Sequence, residues 1–138
     1  MKLFIADDNV AFRTHLASHL LNTEGIELVG EAGDVPESIA AITKTKPDVV
    51  ILDLHMPGGH GFHVVQTVKT FHPSPIVIIL TVGPRSEYQT LSYLAGADYF
   101  FEKSSDLRKM TRLMERIAKE FGGKINKGED IMDRNHKK

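Results

Sequence analysis

The chain has no cysteine and no tryptophan among its 138 residues. Without cysteine there is no disulfide framework, no thiolate metal site and no thiol nucleophile, and the absence fits a reducing compartment such as the cytoplasm. No apolar run approaches the ~20 residues of a membrane span. The run Met1-Lys2-Leu3-Phe4-Ile5-Ala6 meets Asp7-Asp8 at once and is too short for a signal peptide. An excess of one charge is lacking as well. The formal net charge is −1, which argues against direct nucleic-acid binding and gives no pull towards a membrane surface. No internal repeat and no low-complexity segment is evident.

What is present is an ordinary globular composition, 41% hydrophobic and 25% charged, in a chain long enough to bury about two-thirds of its unfolded surface around one core. The stretch that organises it is Asp48-Val49-Val50-Ile51-Leu52-Asp53-Leu54-His55-Met56-Pro57-Gly58-Gly59. Its apolar residues run without alternation into an aspartate, and Pro57 with two glycines stops regular structure. That pattern predicts a strand buried on both faces, ending in a loop that carries Asp53. Asp53 reads either as the cap of a turn or as a reactive carboxylate at the edge where α/β sheets collect ligands.

Around it the chain alternates. Leu3 to Ala6 reads as a strand ending in Asp7-Asp8, and Asn9 offers a cap for a helix carrying Phe12, Leu16 and Leu20. A second strand is predicted over Ile26 to Gly30. Asp34 or Val35-Pro36 opens a helix with Ile39, Ala40 and Ile42 inward, which Lys46-Pro47 ends. After the central strand, Gly61 leads a helix with Phe62, Val65 and Val68 on one stripe, and Phe71 just beyond. Ile76 to Leu80 is another doubly buried strand, ending at Thr81. A helix of weak pattern comes next around Tyr88, Leu91 and Leu94, then a strand over Tyr99 to Phe101 ending at Glu102-Lys103. The last helix carries Leu107, Met110, Leu113, Met114, Ile117 and Phe121. Five strands alternating with five helices predict a parallel sheet covered on both faces. The domain is expected over residues 1–121, with 122–138 as a flexible charged tail after Gly122-Gly123.

In a parallel sheet the strand ends share one edge, so Asp7, Asp8, Asp53, Thr81 and Lys103 converge. Clustered carboxylates repel, and a hard divalent cation such as Mg²⁺ with oxygen ligands is the usual remedy. A metal there would also neutralise an incoming phosphoryl group whose other oxygens Thr81 and Lys103 hold, leaving Asp53 as nucleophile for an acyl phosphate. His15 and His19 have i, i+4 spacing but no evident third ligand, and His60 and His63 read as a solvated loop face.

These residues resemble the receiver domain of bacterial two-component response regulators. The resemblance covers residues 2–121 through Ala6-Asp7-Asp8, Leu52-Asp53-Leu54-His55-Met56-Pro57-Gly58, Ile79-Leu80-Thr81 and Gly96-Ala97-Asp98-Tyr99-Phe100-Phe101-Glu102-Lys103-Ser104. It implies a flavodoxin-like doubly wound (βα)5 fold with strand order 2-1-3-4-5. It implies that Asp53 accepts a phosphoryl group from a sensor histidine kinase or histidine phosphotransfer protein, in a signalling domain and not an enzyme. Asp8, Asp53 and the backbone carbonyl of His55 would hold Mg²⁺, with Asp7 acting through water. Thr81 and Lys103 would contact the phosphoryl oxygens, and Phe100 would turn inward when Thr81 moves. Output would pass to a downstream protein or output domain through the fourth helix, fifth strand and fifth helix. Ser104 stands where most receivers have proline, and Val82 follows the threonine where a smaller residue is usual. A phosphorylation-independent interaction module is the alternative. A flavin carrier would need a hydroxyl- and glycine-rich loop where Asp7-Asp8 stand. A phosphatase with an aspartate nucleophile would need an acid at His55.

Overall fold

In the computed structural model, residues 1–130 are described, with side chains through residue 123. The order is β1 (Lys2–Ala6), α1 (Val10–Leu20), β2 (Glu27–Ala32), α2 (Val35–Thr45), β3 (Val49–Leu52), α3 (Gly61–Val68), β4 (Ile76–Thr81), α4 (Arg85–Ala95), β5 (Tyr99–Glu102) and α5 (Leu107–Asp130). The strands form one parallel sheet in the order β2-β1-β3-β4-β5. This is the flavodoxin-like arrangement expected.

Successive strand side chains point to opposite faces, and the two faces build separate cores. Phe4, Ala6, Val50, Leu52, Val77, Ile79 and Phe100 pack with α2 and α3. Leu3, Ile5, Val49, Ile51, Ile78 and Leu80 pack with α1 and α5. Both faces being covered explains why the central strands read as unbroken apolar runs.

Local chemistry sets the helix ends. The Asn9 side chain accepts from the Phe12 amide at 3.0 Å and Asp34 accepts from Glu37 at 2.7 Å, each satisfying an orphan donor. Lys46 closes α2 in the left-handed region at φ 50°.

Four expectations need correction. β2 runs to Ala32, beyond Gly30, because Ala32 packs into the core while Glu31 reaches out to Arg13. In α2, Ala40 faces solvent and Ser38 takes the inner position, its hydroxyl donating to the Asp34 carbonyl at 2.7 Å. In α4, Leu91 and Leu94 are exposed and the buried residue is Ser92. The helix packs on the sheet through Tyr88, Ser92 and Ala95 instead. Finally, α5 passes through Gly122-Gly123 to Asp130. Two glycines cost a helix about 1 kcal/mol each relative to alanine, a penalty and not a terminator. The rest of the expected tail, residues 131–138, lies outside the described residues.

Candidate functional site

The backbone of β3 stays in register one residue past the strand, where the Asp53 amide donates to the Ala6 carbonyl at 2.9 Å. The loop then folds back tightly. A Cβ on Gly61 would lie 2.6 Å from the Leu54 Cα, so only glycine lets the first turn of α3 close against the backbone beside Asp53. Both Asp53 oxygens are engaged. Oδ1 accepts from the Thr81 hydroxyl at 2.7 Å and from the His55 amide at 3.0 Å, and Oδ2 accepts from Lys103 Nζ at 3.1 Å.

Lys103 also reaches Asp7 Oδ2 at 2.7 Å, so one ammonium bridges two buried carboxylates. The Asp7 Oδ1 accepts from the Asn9 amide at 2.9 Å, and Arg13 grips the Asp7 carbonyl at 2.5 Å. Burial pushes the Asp7 carboxyl up from its ordinary value, against the pull of its Lys103 hydrogen bond. Burial works the other way on the Lys103 ammonium, but its hydrogen bond to Asp7 and the charge of Asp53 outweigh it, and its pKa is raised. Lys103 stays charged. Its Nζ also sits 4.2 Å from the centre of the Phe12 ring, a cation–π contact at the base of the site.

Asp8 differs from Asp7 although the two are adjacent. It is exposed and makes no side-chain hydrogen bond among the described residues, leaving its oxygens open to an incoming cation. One oxygen from each of Asp7, Asp8 and Asp53 lies within 4.8 Å of the others. An all-oxygen donor set with one acid open to water fits a hard divalent cation.

The rim beyond Asp53 is tied across two loops. His55 Nε2 lies 2.8 Å from the Val82 carbonyl. A carbonyl only accepts, so Nε2 carries the proton. The His55 ring stands edge-on to Tyr88 with centroids 5.3 Å apart.

Phe100 is the residue expected to turn inward when Thr81 moves. It is buried, 5% exposed, while the Thr81 hydroxyl still bonds Asp53. The Lys103-Ser104 bond is trans, the cis bond among the described residues being His72-Pro73. His15 and His19 line a groove between α1 and α5, and His60 stacks on Phe62. Among the described residues the acidic trio is the sole grouping of three or more metal-capable side chains.

Sequence reasoning missed Phe12 as the floor under Lys103, because its spacing marks it only as part of a helix stripe. It also missed Arg13, Arg85 and Asp106, whose roles depend on loop geometry. One signal was legible for Arg85: a cation in the first turn of a helix opposes the helix dipole and needs compensation elsewhere.

The family model for the response regulator receiver domain matches residues 3–115. The chain belongs to this family. Among curated relatives, the receiver is 29% identical over 117 residues to the response regulator GacA of Pseudomonas syringae pv. syringae, a match covering 85% of this chain and 55% of that protein. It is 30% identical over 133 residues to the DNA-binding transcriptional activator DevR/DosR of Mycobacterium tuberculosis, covering 96% and 58%. The chain thus spans little more than half the length of these relatives. Among solved structures, it superposes on a two-component response regulator of the LuxR family from Aurantimonas sp. SI85-9A1 with TM-score 0.78 and 26% identity, covering 85% and 84%. Receiver domains are phosphoacceptor signalling modules of two-component systems. No described helix is long and apolar enough to cross a membrane.

Proposed function

We propose that Asp53 of this receiver takes the phosphoryl group from a phosphohistidine donor, a sensor histidine kinase or histidine phosphotransfer protein. The supporting observation is that a buried carboxylate at the sheet edge has a hydroxyl on one oxygen and an ammonium on the other, with two further acids beside it. Phosphoryl transfer needs positioning and charge neutralisation more than covalent chemistry from the protein. The donor's P–N bond breaks as an Asp53 oxygen bonds phosphorus, and the departing imidazole takes up a proton.

Asp8, Asp53 and the His55 carbonyl are the groups that would hold Mg²⁺, with Asp7 acting through water. Bound there, the ion would offset charge on the transferring group. The buried Asp7 keeps Lys103 charged and aimed at Asp53. Once Asp53 carries the phosphoryl group, the Thr81 hydroxyl and Lys103 ammonium turn from its carboxylate to the phosphoryl oxygens, and Thr81 shifts. The receiver is thus a substrate and switch, not an enzyme acting on other molecules. It belongs to the receivers with Lys-Ser in place of Lys-Pro, works in the cytoplasm, and signals to a downstream protein or output domain through α4, β5 and α5. The receiver unit extends over residues 1–121, and residues 122–138 form a charged extension to it.

The test is direct. Acetyl phosphate with Mg²⁺ adds about 80 Da, one phosphoryl group, as a base-labile mixed anhydride. EDTA prevents the addition, and Asp53→Asn abolishes it. Equal labelling of Asp53→Asn refutes the assignment.

A further inference from the structure

α4 is loosely fastened. Its N-cap position is Pro84, with no side-chain capping bond. Its fully buried residue is Ser92, whose hydroxyl has no partner among the described residues. Leu91 and Leu94 face outward. Against this, Arg85 at the first position of α4 is tied firmly to the other side of the edge. Its Nε reaches Glu102 Oε2 at 3.1 Å, its Nη2 bonds Asp106 Oδ2, and its guanidinium lies 5.8 Å over the Phe100 ring.

Asp106 is a fixed anchor. It is buried, accepts from the Glu102 amide at 2.9 Å, and through its carbonyl receives the Met110 amide in the first turn of α5 at 2.9 Å. The Glu102 amide and then the Arg85 guanidinium hold its carboxyl below the ordinary value, so it stays ionised. The charge on Arg85 compensates a buried anion, and the dipole penalty at the start of α4 is offset.

We infer that Arg85 is a positioning residue, a clasp from α4 to the β5–α5 corner that opposes the displacement of Thr81 and so sets how readily the phosphorylated arrangement forms. This rests on the reading of Asp53 as phosphoacceptor. Only Val82-Gly83-Pro84 separates Thr81 from Arg85. When the Thr81 hydroxyl leaves Asp53, that short linker pulls on Arg85, while Glu102 and Asp106 are held by β5 and α5. Phe100 is already buried, and a shift of α4 would draw the Arg85 cation off its ring as well as off the two acids. Cutting the clasp removes a contact that favours the unphosphorylated arrangement, which shifts the balance towards the other.

The experiment compares the parent with Arg85→Ala and Arg85→Lys, using beryllofluoride with Mg²⁺ as the probe. Arg85→Ala is expected to bind the anion at least about fivefold more tightly, the lower end of coupling between sites. Without the anion, amide exchange over Arg85–Ala95 is expected to approach that of the anion-bound parent, while β1 and β3 stay protected. Arg85→Lys, which keeps the charge but loses the planar fork, falls between the two. Equal or weaker anion binding by Arg85→Ala overturns the inference. So does faster exchange spread evenly through β1 and β3, which marks general destabilisation. If the parent binds the anion and Arg85→Ala matches it, the clasp alone is refuted. If the parent does not bind, the phosphoacceptor reading falls and the clasp with it.

Discussion

Replacing Asp8 by asparagine is expected to make the metal-free protein more stable while disabling it. Asp8 has a carboxylate oxygen within 4.8 Å of oxygens on both Asp7 and Asp53. Because Asp8 is exposed, the water limit applies, where unit charges at such a distance repel by about 1 kcal/mol. Two such repulsions act on it, and the Lys103 ammonium shared by Asp7 and Asp53 offsets roughly one. Asp8→Asn should therefore gain about 1 kcal/mol at low ionic strength, or about 4 °C in midpoint for a domain of this size. Physiological salt should cut the gain by about half.

The pH dependence comes from Asp7, whose folded pKa is raised above its ordinary 3.8. A carboxyl shifted upward costs stability increasingly as pH rises through its unfolded value, fully so above the folded one. That cost comes from the burial of Asp7, is shared by parent and variant and fades in acid in both, so the gain in Asp8→Asn is read at neutral pH. Thermal scans in EDTA and in excess Mg²⁺ measure it. At a hundredfold excess over the dissociation constant, the parent should gain about 2.7 kcal/mol from the ion, and Asp8→Asn little. An Asp8→Asn protein that melts below the parent in EDTA, or gains equally from Mg²⁺, refutes the reasoning and the placement of the site.

Two further outcomes test the scaffold. Ser92→Ala removes a fully buried hydroxyl without a partner. It should raise the unfolding free energy by about 1 kcal/mol, read as a higher urea midpoint at unchanged slope, and a loss of stability would show that the hydroxyl is bonded after all. Asp106 has a folded pKa below 3.8, so its stabilising effect is present above that value and is lost as pH falls through the folded pKa. Asp106→Asn should be less stable than the parent at neutral pH, with the gap closing below about pH 4; a constant gap in urea titrations across that range would contradict the anchor role.

Much of the site was legible because its residues terminate strands, and strand ends in a parallel sheet share an edge whatever the packing. Asp53, Thr81 and Lys103 needed only that rule to be brought together, and the distances among them bear it out. The roles of Asp7 and Asp8 needed more. Both end β1, yet one is buried under Lys103 and the other lies open, a difference set by side-chain direction and not by spacing. The weak pattern in α4 was a true signal: apolar character alone points Leu91 and Leu94 inward, whereas a small polar residue fills that place. Glycine weighed as a stop cuts α5 short, though nothing crowds either glycine there.

The alternation along the strands makes the sheet a partition. Side chains from Leu3, Ile5 and Leu80 serve one core with α1 and α5, and those from Phe4, Ala6 and Ile79 serve the other. At the edge the division is bridged: Lys103 rests on Phe12 of the α1 side, and Asp53, which Lys103 holds, is bonded to Thr81 and His55, whose ring meets Tyr88 on the α4 side. The two helical surfaces can therefore diverge in sequence with little interference, each fitted to its own neighbour, while the few residues at the crossing keep them in register.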